Sequence, residues 1–276
     1  MYTLYSSTGC QTKIINQNKY TASHITLGVP KVQVCMYCSK PSVFEIFKRL
    51  PHEAYCSTTD ASKWLSGKLQ LVMELLQMKD NESFQKSGIR RCWFIRVIDE
   101  VFLEIKEQQE LLKKKDPRTF DFSTMYTCLQ HQLIKKNVRI AVEEAVEYAQ
   151  YRASKDGKCL THLHSLKNVD DIMEHVNFIV DNTYLYTEGG ILVHQEIGLP
   201  IGTNSAPEIA NLTLYVPERD FINKMILENK EDEARKHANN FRLQDDVLTW
   251  GSFLLLQKST DWNIQKPHFQ MNQWYI

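Results

Sequence analysis

At 276 residues the chain is long enough for one large domain or two modest ones, and 43% hydrophobic with 11% aromatic content is ample for a buried core. Thirty-three basic and 33 acidic side chains cancel, which excludes a whole-surface attraction for polyanions and leaves only local basic patches to serve that purpose. No run reaches the ~18 consecutive apolar residues of a membrane span, the N-terminus lacks the basic-then-apolar order of a signal peptide, and seven scattered cysteines do not make the even, dense framework of a secreted disulfide protein. The expectation is an intracellular chain, cytoplasmic or nuclear, with no membrane partner.

Residues 1–59 are predicted as a polar, irregular or short-stranded lead-in. One constellation stands out within it: Cys35-x₂-Cys38, thirteen residues, then His52-x₃-Cys56. These are the ligand types and spacing of a small zinc finger, with Phe44 and Leu50 available as its miniature core. The competing reading is a strand, because Val32, Val34 and Met36 alternate with polar or small residues.

Residues 60–118 are predicted as a helical region. Asp60 is placed to cap a helix whose stripe is Leu65, Leu69, Val72 and Leu76. After Gly88 a second helix is expected on Phe94, Val97, Ile98, Val101, Phe102 and Ile105, closed by a basic run and Asp116-Pro117.

From Thr119 to Met125 a short β-type segment feeds a helix with Val138, Val142, Ala145 and Ala149 on one face. A further amphipathic helix carries Val169, Ile172, Met173, Val176 and Val180, and two β-type runs around Gly189-Gly190 read as a hairpin. A Gly/Pro-rich turn leads to a helix from about Ala206, which Pro217 is expected to interrupt or kink. Finally, apolar residues flank Asp245-Asp246 as strand, acidic turn and strand. Irregularly alternating helices and hairpins favour an α+β fold with an antiparallel sheet over a doubly wound parallel one.

Two adjacent aspartates at the tip of an apolar hairpin are electrostatically costly without a positive neighbour, and a divalent cation is the commonest one. Asp121, at the end of a separate strand, supplies a third carboxylate if the strands are neighbours. Hard oxygen ligands suit Mg²⁺, and a pair of Mg²⁺ ions is the arrangement that activates a hydroxyl and stabilises a leaving pyrophosphate. The bland alternative is that Asp-Asp dipeptides are common in turns.

The order of three blocks favours the chemical reading. Phe120-Asp121-Phe-Ser-Thr-Met-Tyr126, then Gln195-Glu-Ile-Gly198-Leu-Pro200-Ile-Gly202-Thr-Asn204-Ser-Ala-Pro207 with Ala210-Asn211, then Phe241-Arg-Leu-Gln-Asp245-Asp246-Val-Leu resemble motifs A, B and C of reverse transcriptases. The style of the middle block is closest to Penelope-like retroelements, with telomerase catalytic subunits as more distant cousins. The resemblance covers residues 119–250 and, more loosely, Ala61-Ser-Lys-Trp-Leu.

It implies a right-hand polymerase palm over 119–276, mostly helical fingers over 60–118, and an RNA-directed DNA polymerase, a nucleotidyltransferase using an RNA template, a DNA primer and deoxynucleoside triphosphates. Asp121 and Asp245 would bind two Mg²⁺ ions with Asp246 in support. Tyr126 would stand where an aromatic ring excludes a ribose 2′-hydroxyl. Gly198, Pro200 and Gly202 would shape a loop against template and incoming base, and Gln195 would touch that loop or the nucleotide. Arg90 and Arg91 are candidates for holding the triphosphate, against the plainer reading of solvated surface arginines.

Leu243-Gln244 departs from the aromatic usual two positions before the aspartate pair. Thirty residues follow Asp246, too few for a primer-gripping segment and a helical thumb, so a truncated copy is expected. The alternatives are an inactive, retroelement-derived nucleic-acid-binding protein and a zinc-finger interaction protein. Hydrolase classes lack their Gly-x-Ser-x-Gly, Gly-x₄-Gly-Lys-Ser/Thr or His-Glu-x₂-His signatures.

Overall fold

The computed structural model describes residues 3–5, 11–14, 58–107, 117–122, 125–156, 166, 168–186, 192–200, 202–250 and 271–275. The zinc-type constellation of Cys35, Cys38, His52 and Cys56 lies outside the described residues, as does the Gly189-Gly190 turn.

Four helices build the bulk of the core. Helix α1 (Thr59–Ser87) buries Leu65, Leu69, Val72 and Leu76, the periodic stripe of the sequence, and each such side chain removed from water stabilises the fold by about 1.5–3 kcal/mol. Its N-cap is Thr58, with Asp60 inside the first turn rather than capping, where a carboxylate still complements the helix dipole. Gly88 closes it in the left-handed region (φ 67°), donating its N–H to the Phe84 carbonyl.

The expected second helix is shorter than its apolar pattern. Helix α2 occupies only Asp99–Glu107. The preceding residues run extended beside the later strand β6: Arg242 donates its N–H to the Trp93 carbonyl and Ile95 donates to the Arg242 carbonyl. Trp93, Phe94 and Ile95 are bulky and buried, which suits a strand-like segment, whereas Val97, Ile98 and Phe102 are 53–62% exposed. The helical period in this stretch was therefore a coincidence of two different elements.

Strand β3 (Arg118–Phe122) leads through the single turn α3 (Met125–Cys128) into α4 (His131–Asp156), whose Val138, Val142, Ala145 and Ala149 are fully buried. Helix α5 (Val169–Asp181) is capped by Asn168, which accepts from the Asp171 N–H, and presents its predicted stripe to α1 and α4. Strands β4 (Tyr184–Tyr186) and β5 (Leu192–Gln195) pair as the expected antiparallel hairpin, extended by β1 (Thr3–Tyr5) and β2 (Gln11–Ile14) in the order β1-β2-β5-β4.

Helix α6 (Ala206–Leu227) runs through Pro217 without interruption. Proline removes the N–H that would bond the Thr213 carbonyl; Asn137 of α4 supplies a replacement donor to that carbonyl at 2.8 Å. After α7 (Glu231–Arg235) the second sheet forms from β6 (Asn240–Leu243), β7 (Asp246–Thr249), β3 and β8 (Met271–Tyr275), in the order β6-β7-β3-β8. Every pairing among the described strands is antiparallel, so the chain is α+β. One apolar cluster joins α1, α4, α5 and α6 to Phe120, Phe122 and Val247 of the sheet, so the expected boundary at 118/119 does not divide the core.

Candidate active site

Alternation fixes which side of the sheet carries chemistry. Phe120 and Phe122 point into the core, as does Val247, which lies opposite Phe120. Asp121 and Asp246, also directly opposite one another, must then share the other face. Between β6 and β7 the link is only Gln244 and Asp245, with Leu243 opposite Asp246. Gln244 takes φ 58°, a left-handed conformation that costs a non-glycine residue about 1–2 kcal/mol. The Phe122 N–H donates to the Asp245 carbonyl at 3.0 Å and ties the end of β3 to this turn.

The three expected carboxylates therefore gather at one end of the inner strand pair β3 and β7, and their electrostatics register it. Burial, then the charge of Asp246, raises the pKa of Asp121. Burial raises Asp245 as well, with Asp246 and Asp121 adding to the shift and Arg242 opposing it. Among the described residues none of the three has an ion-pair partner, and no three His, Cys, Asp or Glu side chains converge into a ready cluster for a metal ion. Like charges with nothing between them repel. The donor set itself, all hard carboxylate oxygens without a compensating cation, fits Mg²⁺ rather than a softer metal.

Tyr126 belongs to this neighbourhood. Burial pushes its phenol pKa well up, and the charge of Asp245 is the next cause. The glycine block lies behind it. Gly198 (φ 92°) approaches the chain's own backbone: a Cβ there would lie 2.4 Å from the Tyr126 carbonyl oxygen and 3.0 Å from Thr127 Cα. The Gly198 N–H donates to the Leu129 carbonyl, Leu199 donates to the Tyr126 carbonyl, and His131 Nε2 donates to the Gly198 carbonyl. At Gly198 the close approach is to the chain's own backbone, beneath α3 and Tyr126. Gln195 is buried and donates to the Ile197 carbonyl at 2.9 Å, so it touches the loop. Pro200 is buried and accepts from the Thr203 N–H, and Gly202 (φ 96°) turns the chain into α6.

Arg90 and Arg91 are not solvated surface groups: both have partners inside the fold. Arg90 is buried, donates to the Ala238 carbonyl, pairs with Glu104 and lies 4.6 Å from the Phe84 ring centroid. Arg91 donates to Asn223 Oδ1 and Ser83 Oγ, and its backbone N–H donates to Asp80. Internal partners occupy both guanidiniums.

Sequence reasoning missed Arg242. Its side chain is wholly buried beneath the acidic turn and forms a fork on Glu218 (2.5 and 3.1 Å). It also donates to Asn211 Oδ1 at 2.6 Å, the Asn211 carbonyl at 3.2 Å and the Gln244 carbonyl at 3.1 Å. The available signal was a charged residue between the apolar Phe241 and Leu243. A second group beside the site is Glu208, whose charge also reaches Tyr126 and whose Oε1 accepts from Ser66 and Gln70 of α1.

No protein-family model matches the chain, and no curated protein matches it in sequence. Among solved structures it is similar to telomerase from Candida tropicalis in complex with a TWJ fragment of telomeric RNA (16% identity, TM-score 0.43, 75% of this chain and 33% of that chain). It is likewise similar to apo telomerase from the same organism (18% identity, TM-score 0.44, 75% and 36%). The chain spans a third or slightly more of the length of these proteins.

Proposed function

We propose that this chain is the palm of an RNA-directed DNA polymerase, extending a DNA primer on an RNA template with deoxynucleoside triphosphates. The observation that carries the reading is the register of β3 and β7, which sets Asp121 opposite Asp246 on the sheet face turned away from the core, with Asp245 in the adjoining turn. Three separate sequence blocks in the order of reverse-transcriptase motifs support it from the chain itself.

In this reading Asp121 and Asp245 hold two Mg²⁺ ions, with Asp246 supporting. The ions supply a lowered hydroxyl pKa and charge stabilisation at the phosphorus. The chain's own part is positional. The two-residue turn holds Asp245 against β3, Phe120 and Phe122 anchor the strand that carries Asp121, and Tyr126, seated by the Gly198 loop, stands beside Asp245 to exclude a 2′-hydroxyl. Burial first and the neighbouring carboxylates second raise the pKa values of Asp121 and Asp245, and a bound cation would offset that repulsion.

The test is primer extension by the purified chain on an annealed RNA template and DNA primer with Mg²⁺, beside an Asp245→Asn, Asp246→Asn variant. Extension confined to the unsubstituted chain is expected. Duplex binding without extension would replace this reading with that of a nucleic-acid-binding protein descended from such an enzyme.

A further inference from the structure

Beneath the acidic turn lies a buried charged assembly that the proposed chemistry does not itself use. Arg242 is fully buried, and so is Glu218 at 1% exposure. Asn211 and Glu218 are seven residues apart, two turns of α6, and so lie on the same helix face. The Arg242 guanidinium presents five N–H donors in a fixed plane. Two bonds go to the Glu218 carboxylate, two to the side chain and backbone of Asn211, and one to the carbonyl of Gln244. The backbone of Arg242 is held as firmly, between Trp93 and Ile95.

A buried ion pair is weak evidence for stability, because apolar residues of similar size do the same work at equal or lower free energy. The bond to Gln244 is different. That carbonyl belongs to the strained residue of the turn, one position before Asp245, and a turn held on a left-handed glutamine needs an external constraint to keep one geometry. The carbonyl of Asp245 is fixed from the other side by the Phe122 N–H.

We propose that Arg242 is the positioning residue of the carboxylate turn: its guanidinium, oriented by Glu218 and Asn211 of α6, fixes the Gln244–Asp245 link and so the place of Asp245 relative to Asp121. A lysine fits the charge and not the role, because an ammonium lacks the planar fork that reaches Glu218, Asn211 and Gln244 together. The consequence for catalysis rests on the polymerase reading; the fixing of the turn does not.

Two variants test the inference. Arg242→Lys keeps the charge opposite Glu218, and the double variant Arg242→Met, Glu218→Met removes both buried charges, a replacement that folds commonly tolerate. Amide hydrogen exchange is followed at Phe122, whose N–H is bonded to the turn, with Ala145 in the α4 core as the reference for global opening. Exchange at Phe122 is expected to quicken about tenfold, the equivalent of one lost hydrogen bond to a charged group, while Ala145 is unchanged. Primer extension on the same samples is expected to fall about a hundredfold in rate, as for a reacting group displaced by about 1 Å, with the deoxynucleotide KM within about threefold because binding surfaces are untouched.

Unchanged exchange at Phe122 in a folded variant overturns the proposal, as does a loosened turn with full extension activity. If the unsubstituted chain does not extend primers, the polymerase reading fails, and the exchange at Phe122 still decides whether Arg242 fixes the turn.

Discussion

Arg242 and Asp245 are three residues apart, yet their surroundings are opposite. Arg242 and Glu218 lie in the core with each charge answered by the other, and Arg90 pairs with the partly exposed Glu104. Asp121, Asp245 and Asp246, a few ångströms of strand further on, carry one sign of charge with no counter-ion among the described residues. The difference is one of compensation: the buried pair is balanced within the fold, whereas the acidic turn would be balanced by a bound cation in the proposed reading.

The sharpest attempt to break that contrast is Asp245→Asn. A working carboxylate predicts loss of primer extension by roughly a thousandfold, several kcal/mol of transition-state stabilisation, with a melting temperature equal to or above that of the unsubstituted chain because a repelling charge is removed. A clear drop in melting temperature would put Asp245 with the scaffold instead. The converse is Arg242→Ala, which strands the Glu218 charge and is expected to cost about 3–5 kcal/mol in urea unfolding.

Proton linkage separates the two regions by sign. His237 is wholly buried between Trp93 and Phe221, accepts from the Asn240 side-chain amide at Nδ1, and has its pKa lowered by burial from 6.5 to about 4. A depressed folded-state pKa gives stability present above pH 6.5 and lost as pH falls toward 4, by up to about 3 kcal/mol; His237→Phe should flatten that limb in pH-dependent melts. Asp121 and Asp245, raised above 3.8, act the other way: their contribution is present at low pH and is lost as pH rises through the raised values. Replacing both by Asn should therefore steepen the acid loss.

Backbone substitutions give the smaller effects. Gly198→Ala meets the Tyr126 carbonyl and an unfavourable φ together, for an expected loss of about 2–3 kcal/mol and a displaced Tyr126, read as weakened discrimination against ribonucleotides. Gln244→Gly relieves the left-handed turn and should stabilise by about 1 kcal/mol, with slower extension if the strained residue also helps to hold Asp245 in place.

What could be read from the sequence follows from how far its causes reach along the chain. The stripe Leu65, Leu69, Val72 and Leu76, the β4–β5 hairpin and the strand pair around Asp245-Asp246 each depend on neighbours within a few residues, so periodicity reveals them. The pairing of Asp121 with Asp246 needed the order of three motifs as well. Arg90 and Arg91 could not be read this way, since Ala238 and Asn223 are 148 and 132 residues distant, and a basic dipeptide looks the same whether its partners are internal or solvent. Arg242 was hidden for the same reason, its partners lying on α6. Gly198 was rightly singled out as a point of close approach, but a glycine does not say what approaches it.

The Thr213 carbonyl, left without its helical donor by Pro217 and held by Asn137, has a mechanical consequence. It couples the axial register of α4 to that of α6, because a slide of one helix past the other would leave an orphan carbonyl in an apolar seam. Proline, usually counted as a weak point, here gives a shear lock. Asn211 and Glu218 bracket the locked position within two turns, so the clamp on the acidic turn takes its longitudinal setting from the bond between α4 and α6.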